Sequence, residues 1–368
     1  MGHIKRRRLR TGKSAYLAVY RVEGRERSRQ FARRIDAERF LATTEAAKAE
    51  GRWVDPAQGR VSLQEWADHA WDPITAHLGV KSKERADGVL RHHVLPRFGS
   101  VQIAGLEHLH VCEWVTALQE QGLSPSTVAK AYQTLDRLLE AAVRSKRLAT
   151  NPADGVKLPP AADGEARILT DAELDRLIAA FDSRYRVWPL FAAYSGLRAG
   201  ESFGLRRSRF DALRGRVTVA EECLETRGQI MFKQPKTNAG RRVVPIPRFV
   251  AAELVSTIPA NAPDDHLVFQ APGGGPVRIN NFRQRAWYPA LSAAGLEGLR
   301  MHDLRHTAVS RWIDAGATPK QAQTWAGHRS IRTTYDVYGH LFPDREDRVM
   351  DVLEGARGTS GDATHTRQ

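Results

Sequence analysis

Cysteine is almost absent from this chain: Cys112 and Cys223 are the only two in 368 residues. They form no CxxC pair and have no ligand residue beside them, so neither a disulfide framework nor a zinc site is implied. Both read as small buried apolar residues. Long apolar runs are missing too. No stretch approaches the roughly 20 residues of a membrane helix, and Met1 to Arg10 lacks the apolar core of a secretory signal. The expectation is a cytoplasmic protein with no membrane partner. Acidic residues are in deficit, 42 Asp and Glu against 56 Lys and Arg, which leaves a net charge of +14 and a pI near 10.1. Such a surface favours a polyanion, because phosphate neutralisation releases counterions; nucleic acid comes first and an anionic membrane surface second. A chain of this length with 42% hydrophobic residues supports two or three separate cores.

The positive charge is front-loaded. Between Lys5 and Arg60 there are 16 Lys and Arg against 7 Asp and Glu, so this stretch carries +9. Alternation from Tyr16 to Val22, a Glu23-Gly24 turn and the segment Arg27 to Phe31 predict a hairpin, and Asp36 to Ala49 predicts an amphipathic helix. Aromatic residues interleaved with the charge favour a folded DNA-binding module over residues 1–58 rather than a solvated basic tail.

A second unit, 61–158, reads as wholly helical. From Ser126 to Arg147 the residues Val128, Tyr132, Leu135, Leu138, Leu139, Ala142 and Val143 repeat at helical spacing and leave Lys130, Arg137, Arg144 and Lys146 mostly off the stripe. Ser124-Pro125 is a helix start and Asn151-Pro152 a stop. Leu95-Pro96-Arg97-Phe98-Gly99 is expected to break one helix from the next, giving a bundle of four or five. Such a bundle serves structural or protein-binding roles as readily as DNA binding.

The segment 159–168 is rich in proline and glycine and reads as a linker. After it, Thr170 and Glu173 form the two ends of a capping box. Strand-like alternation follows at Arg216–Glu222, Gln229–Gln234 and Arg241–Ile246. The turn Asn238-Ala239-Gly240 joins the last two, which puts Lys236 on or beside a hairpin loop. From His302 the pattern is helical again, with a Gly316 stop, a Thr318 start and a last helix after Ser330. The fold class is mainly α with small β-sheets: a basic sheet and helix module, a helical bundle, and a mixed helical domain with one small antiparallel sheet.

Within this last domain lie Ser195-Gly196-Leu197-Arg198-Ala199-Gly200-Glu201, Pro235-Lys236-Thr237, His302-Asp303-Leu304-Arg305-His306, and Gly327-His328 followed by Thr333 to His340. Taken singly, each has a bland reading. Arg198 is an ion-pairing arginine beside Glu201; His302 and Arg305 share a helical face; His328 is a structural histidine at a turn; Tyr338 is a core aromatic. Together, several fixed cations around one hydroxyl suit attack on a phosphodiester, because they stabilise the charge that builds on its oxygens. No Asp/Glu cluster of the kind a two-metal nuclease uses is present, so no metal or cofactor is expected.

In this order the four segments resemble the boxes of the tyrosine recombinase family, the phage integrases in particular, and the resemblance covers essentially the whole chain. One departure is Trp325-Ala326, where a leucine commonly precedes the Gly-His pair. Tyr335 competes as nucleophile, but the terminal Tyr-Gly-His of the motif falls on Tyr338. The resemblance implies attack by Tyr338 to give a 3′-phosphotyrosyl bond, without metal or ATP. Arg198, Arg305 and His328 would hold the phosphate oxygens, Lys236 would protonate the leaving 5′-oxygen, and His302 would assist proton movement at the nucleophile.

It also implies partners and domains. Residues 1–58 would be an arm-type DNA-binding module, 61–158 a core-type one, 169–354 the catalytic domain and 355–368 a disordered tail. Double-stranded attachment-site DNA would be bound by a homotetramer, with Leu341 to Leu353 docking on a neighbouring protomer and with an excisionase and a host DNA-bending protein as further partners. A type IB topoisomerase, which shares the chemistry, and a chromosome-dimer resolving recombinase, which lacks the basic N-terminal module, are the alternatives. A DNA-binding protein without catalysis is the third.

Overall fold

The computed structural model describes residues 2–8, 14–22, 25–49, 58–160, 167–226, 228–235, 240–342 and 353. The Glu23-Gly24 turn, Lys236, most of the 159–168 linker, most of the 341–353 segment and the 355–368 tail lie outside the described residues. The chain divides into two compact units, Met1–Asp163 and Gly164–Gln368.

The first unit opens with a three-stranded antiparallel sheet, His3–Arg8 (β1), Ser14–Val22 (β2) and Arg25–Phe31 (β3), in the order β1-β2-β3. The alternating strand β2 takes the centre, where one face can be buried. Ala18 and Tyr20 pack there on Ala37 and Leu41 of the helix Arg34–Ala49 (α1). β1 was not foreseen. Its run of basic residues holds only Ile4 as an apolar position, so it carries no period-two signal; it forms because the open edge of β2 offers unpaired backbone groups, in a register running from His3↔Val19 to Arg8↔Ser14. On β3 the Arg29 guanidinium lies 5.5 and 5.2 Å from the ring centres of Phe31 and Phe40, which seats a cation on the apolar margin.

From 58 to 144 the chain is mainly helical, whereas 145–160, most of which the sequence reading counts within its helical unit 61–158, form turns and irregular chain. Leu63–Thr75 (α2), Val80–Val89 (α3), Leu95–Phe98 (α4), His108–Glu120 (α5) and Pro125–Arg144 (α6) enclose Leu63, Trp66, Phe98, Trp114, Leu135 and Leu138. Pro96 does not break its helix. One π turn, Leu90–Val94, joins α3 to α4, and the widened ladder takes up a ring that would collide with the carbonyl four residues back. α6 ends at Arg144, before Asn151-Pro152, and Lys146, two residues on, turns the chain with a φ of 54°.

In the second unit Thr170 and Glu173 cap Asp171–Ala180 (α7) reciprocally, as the sequence predicts. Val187–Ser195 (α8) and Ala199–Phe203 (α9) lead to the short strands Phe210–Asp211 (β4), Arg216–Val219 (β5), Glu222–Thr226 (β6), Gln229–Lys233 (β7) and Arg242–Pro245 (β8). Two sheets form instead of one: β4-β5-β8 and the hairpin β6-β7. The segments on either side of Lys236 therefore do not pair with each other, because β7 has already paired with β6 and β8 with β5. The remaining helices are Arg248–Ser256 (α10), Ile279–Phe282 (α11), Tyr288–Ala294 (α12), Met301–Asp314 (α13), Pro319–Ala326 (α14) and Ile331–Tyr338 (α15). Trp188, Phe203, Phe282 and Trp287 fill the centre, with ring centres 4.9 to 5.8 Å apart for Trp188 against each of the others. This aromatic packing holds α8 and α9 rigidly at the site.

Candidate active site

The turn between α8 and α9 sets the first half of the site. Gly196 closes α8 in the left-handed conformation, φ 61°, and turns its carbonyl toward α13, where it accepts a 2.7 Å hydrogen bond from Arg305 Nη1. A side chain does not fit here: a Cβ on Gly196 lies 2.6 Å from Cη2 of Trp312. Gly196→Ala combines left-handed strain with that overlap and is expected to cost about 2–4 kcal/mol. Thermal unfolding of the full chain checks this, and an unchanged midpoint would refute the close approach.

Arg198 follows as the N-cap of α9. Its amide donates to Glu201 Oε2 at 2.9 Å and its Nη1 to Glu201 Oε1 at 2.8 Å, so one carboxylate fixes both the start of the helix and the guanidinium. The Arg198 side chain stays 40% exposed, within reach of a ligand. Glu201 is itself buried and grips a second arginine: Arg242 Nη1 and Nη2 donate to its two oxygens at 3.0 and 2.8 Å. Burial alone would raise the Glu201 carboxyl, but the hydrogen bonds and charge of Arg242, with Arg198 behind, hold it down at about 2. Arg242 also donates through Nε to the carbonyl of Trp325 at 2.7 Å, so β8 is tied to the end of α14.

Arg305 occupies the centre of the site. It is 2% exposed, and its second terminal nitrogen donates to the carbonyl of Ala326. Burial, and then the nearby charge of Arg198, push its guanidinium down to about 9, which leaves it cationic at neutral pH. Trp325-Ala326, the departure from the common leucine, is thus a packed corner. Trp325 meets Trp312 with ring centres 5.5 Å apart, Ala326 is buried, and their two carbonyls take Arg242 and Arg305.

Beyond that corner Gly327 ends α14 with φ 67° and releases His328. His328 Nδ1 meets Thr334 Oγ1 at 3.0 Å, and its ring lies 6.3 Å from that of Tyr338 with planes 13° apart. Burial and Arg305 hold the ring down at about 4, so it is neutral at physiological pH. His302 is held at about 4 by the same two causes and stands edge-on to His306, ring centres 5.0 Å apart.

Tyr338 closes the group. It is 2% exposed among Val309, Ile313, Ala322 and Ala326, and burial pushes its phenol up to about 12 against the opposing charge of Arg305. The Tyr338 hydroxyl lies 2.6 Å from His306 Nδ1. Tyr335 is half exposed and packs on Phe342 instead. The structure thus brings Arg198, Arg305, His302, His328 and Tyr338 into one neighbourhood, while Lys236 lies outside the described residues.

Two members escaped the sequence reading. Arg242 opens β8 directly after Arg241, and nothing local marks it. His306 was visible within His302-Asp303-Leu304-Arg305-His306, one helical turn after His302 and beside Arg305, but its role depends on a partner 32 residues away.

Residues 167–345 match the phage integrase family. The second unit of the chain carries a phage integrase domain. The chain is 26% identical over 279 residues to the ICEBs1 integrase of Bacillus subtilis, spanning 72% of this chain and 75% of that one. Its fold is similar to that of the Tn1549 transposon integrase solved with circular intermediate DNA, at TM-score 0.65 and 20% identity over 80% of this chain and 100% of the other. A lambda integrase tetramer bound to a Holliday junction aligns at TM-score 0.57 and 16% identity, over 90% of this chain and 93% of the relative. At these identities the two structures speak for the fold.

Proposed function

We propose that this site-specific recombinase inserts and excises a phage or mobile element through a 3′-phosphotyrosyl intermediate formed on Tyr338. The observation that carries the reading is Tyr338, its ring parallel to that of His328 and its hydroxyl within the field of the Arg305 charge, in a unit where Arg198 remains open to ligand. Arg198 and Arg305 hold the nonbridging oxygens of the scissile phosphate, for which the planar guanidinium fork is suited. In the tautomer whose Nδ1 accepts from Thr334, His328 presents Nε2–H to the same phosphate. Lys236 protonates the leaving 5′-oxygen, and His302, held neutral, assists proton movement at the site. The phosphotyrosyl bond conserves the energy of the phosphodiester, so exchange proceeds without metal or ATP.

Residues 1–58 are assigned to arm-type sites. β1 and β3 carry exposed basic side chains on both edges of the sheet, which supports binding to a phosphate backbone. Residues 61–158 and 169–354 are assigned to the core site, with a homotetramer as the working assembly on two duplexes. An excisionase and a host DNA-bending protein are its proposed accessory partners, and the bacterial cytoplasm its place of action.

Incubation of the full chain with two duplexes carrying the two attachment sites is expected to yield recombinant duplexes, and deletion of residues 1–58 to abolish integration while leaving cleavage at the core site. Relaxation of plasmid that lacks the sites, with no recombinant product, would support the type IB topoisomerase alternative instead.

A further inference from the structure

We infer that His306 is a catalytic residue of this recombinase: its Nδ1 accepts the proton of Tyr338 as the phenol oxygen attacks the phosphate. The inference rests on the reading of Tyr338 as nucleophile and goes beyond it, since it names where the nucleophile's proton goes. The hydroxyl and Nδ1 are 2.6 Å apart, within the range of a strong hydrogen bond. His302 and His328 approach the same region but through other contacts: His302 meets the edge of the His306 ring, and His328 turns its Nδ1 to Thr334. His306 is held on α13 directly after Arg305, so the acceptor and the phosphate-binding guanidinium are placed by one rigid helix.

Acid–base chemistry supports this acceptor. Burial pushes the His306 ring below the ordinary histidine value, with Arg300 and Arg305 acting the same way against Asp303, so the imidazole is neutral and its Nδ1 lone pair is available in the Nε2–H tautomer. Against a phenol at about 12 the imidazole takes no proton at rest. Once the phenol oxygen bonds to phosphorus, that oxygen loses its affinity for the proton. An imidazole lies between these two limits, which is where a general base is effective.

The step balances. The bond from the Tyr338 oxygen to phosphorus forms and its proton passes to His306 Nδ1; the bond from phosphorus to the 5′-oxygen breaks and that oxygen leaves as a hydroxyl, its proton supplied by Lys236. In religation the incoming 5′-hydroxyl gives its proton back to Lys236 as it bonds to phosphorus, the bond from phosphorus to the Tyr338 oxygen breaks, and His306 returns its proton to that oxygen.

The test uses the full chain and a nicked suicide duplex spanning the junction of the element that carries the gene. His306→Asn keeps a polar group near the Nδ1 position but cannot take a proton. It is expected to retain duplex affinity and melting temperature while forming the covalent adduct about 100-fold or more slowly, the usual contribution of a general base. Added imidazole is expected to restore the rate of His306→Ala in proportion to its concentration. A duplex with sulfur in place of the bridging 5′-oxygen separates the two proton transfers, because a thiolate leaves without a proton. The His306→Asn deficit should persist on it, while that of Lys236→Ala should shrink. An asparagine variant as fast as the native protein or faster, or a deficit that vanishes on the sulfur duplex, overturns the inference. If Tyr338→Phe still forms the adduct, the failure lies in the nucleophile assignment instead.

Discussion

Tyr338→Phe is expected to abolish the covalent protein–DNA adduct while leaving the fold intact. The substitution removes one oxygen from a ring that packs on Val309, Ile313, Ala322 and Ala326, so the apolar contacts persist. The loss is one hydrogen bond to a neutral imidazole, worth about 1 kcal/mol. Catalysis has no such tolerance, because among the described residues no other tyrosine hydroxyl shares the position: Tyr335 is half exposed and faces Phe342. Tyr335→Phe should therefore form adduct within about twofold of the native rate, an interior hydrogen bond not being at stake. Denaturing gels of the suicide duplex reaction read both variants. Adduct in Tyr338→Phe, or its loss in Tyr335→Phe, would reassign the nucleophile.

Glu201→Ala is expected to have the largest effect on stability. Its carboxylate is the bidentate partner of Arg242, whose side chain is 2% exposed, and removing one member of a buried pair leaves an uncompensated charge, at a cost of about 3–5 kcal/mol. For a unit of this size that is a fall of roughly 6–20 °C in the midpoint of its thermal transition. The titration of Glu201 leads to the same magnitude. Its folded value of about 2 lies below the ordinary 4.5, so the carboxylate contributes about 3 kcal/mol. That contribution is fully present above the unfolded value and is lost as the pH falls from near 4.5 toward 2. Glu201→Ala should accordingly flatten the acid limb of the stability curve over that window. Calorimetry of both proteins between pH 2 and pH 7 decides the matter, and an unchanged acid limb would remove Glu201 from its structural role. Arg198 loses its anchor in the same variant, so adduct formation should fall as well.

Much of this site was legible in the chain because its signals are local. The capping boxes of α7 and α14 lie within four residues, and both helices start where those residues predict. The basic N-terminal module and the order of the four segments needed no tertiary contact. Tyr338 was separated from Tyr335 by the residues that follow it, and the structure adds that the two side chains point to different surroundings.

Other features were not legible, each because a partner is distant in sequence. β1 has no alternation of its own and is defined by the edge of β2. Lys236 was assigned to a hairpin because the flanking segments both alternate, yet alternation reports a half-buried strand and not the identity of its neighbour; β7 pairs with β6, and β8 with β5.

Composition by itself favoured a polyanionic partner, and motif order picked out Arg198, His302, Arg305, His328 and Tyr338 but neither Arg242 nor His306. The tertiary structure decided which of those groups touch. The Arg242–Glu201 pair spans 41 residues and the His306–Tyr338 hydrogen bond 32. Local sequence encodes backbone conformation through caps and periodicity, whereas contacts at such separations arise only when packed helices bring distant segments together.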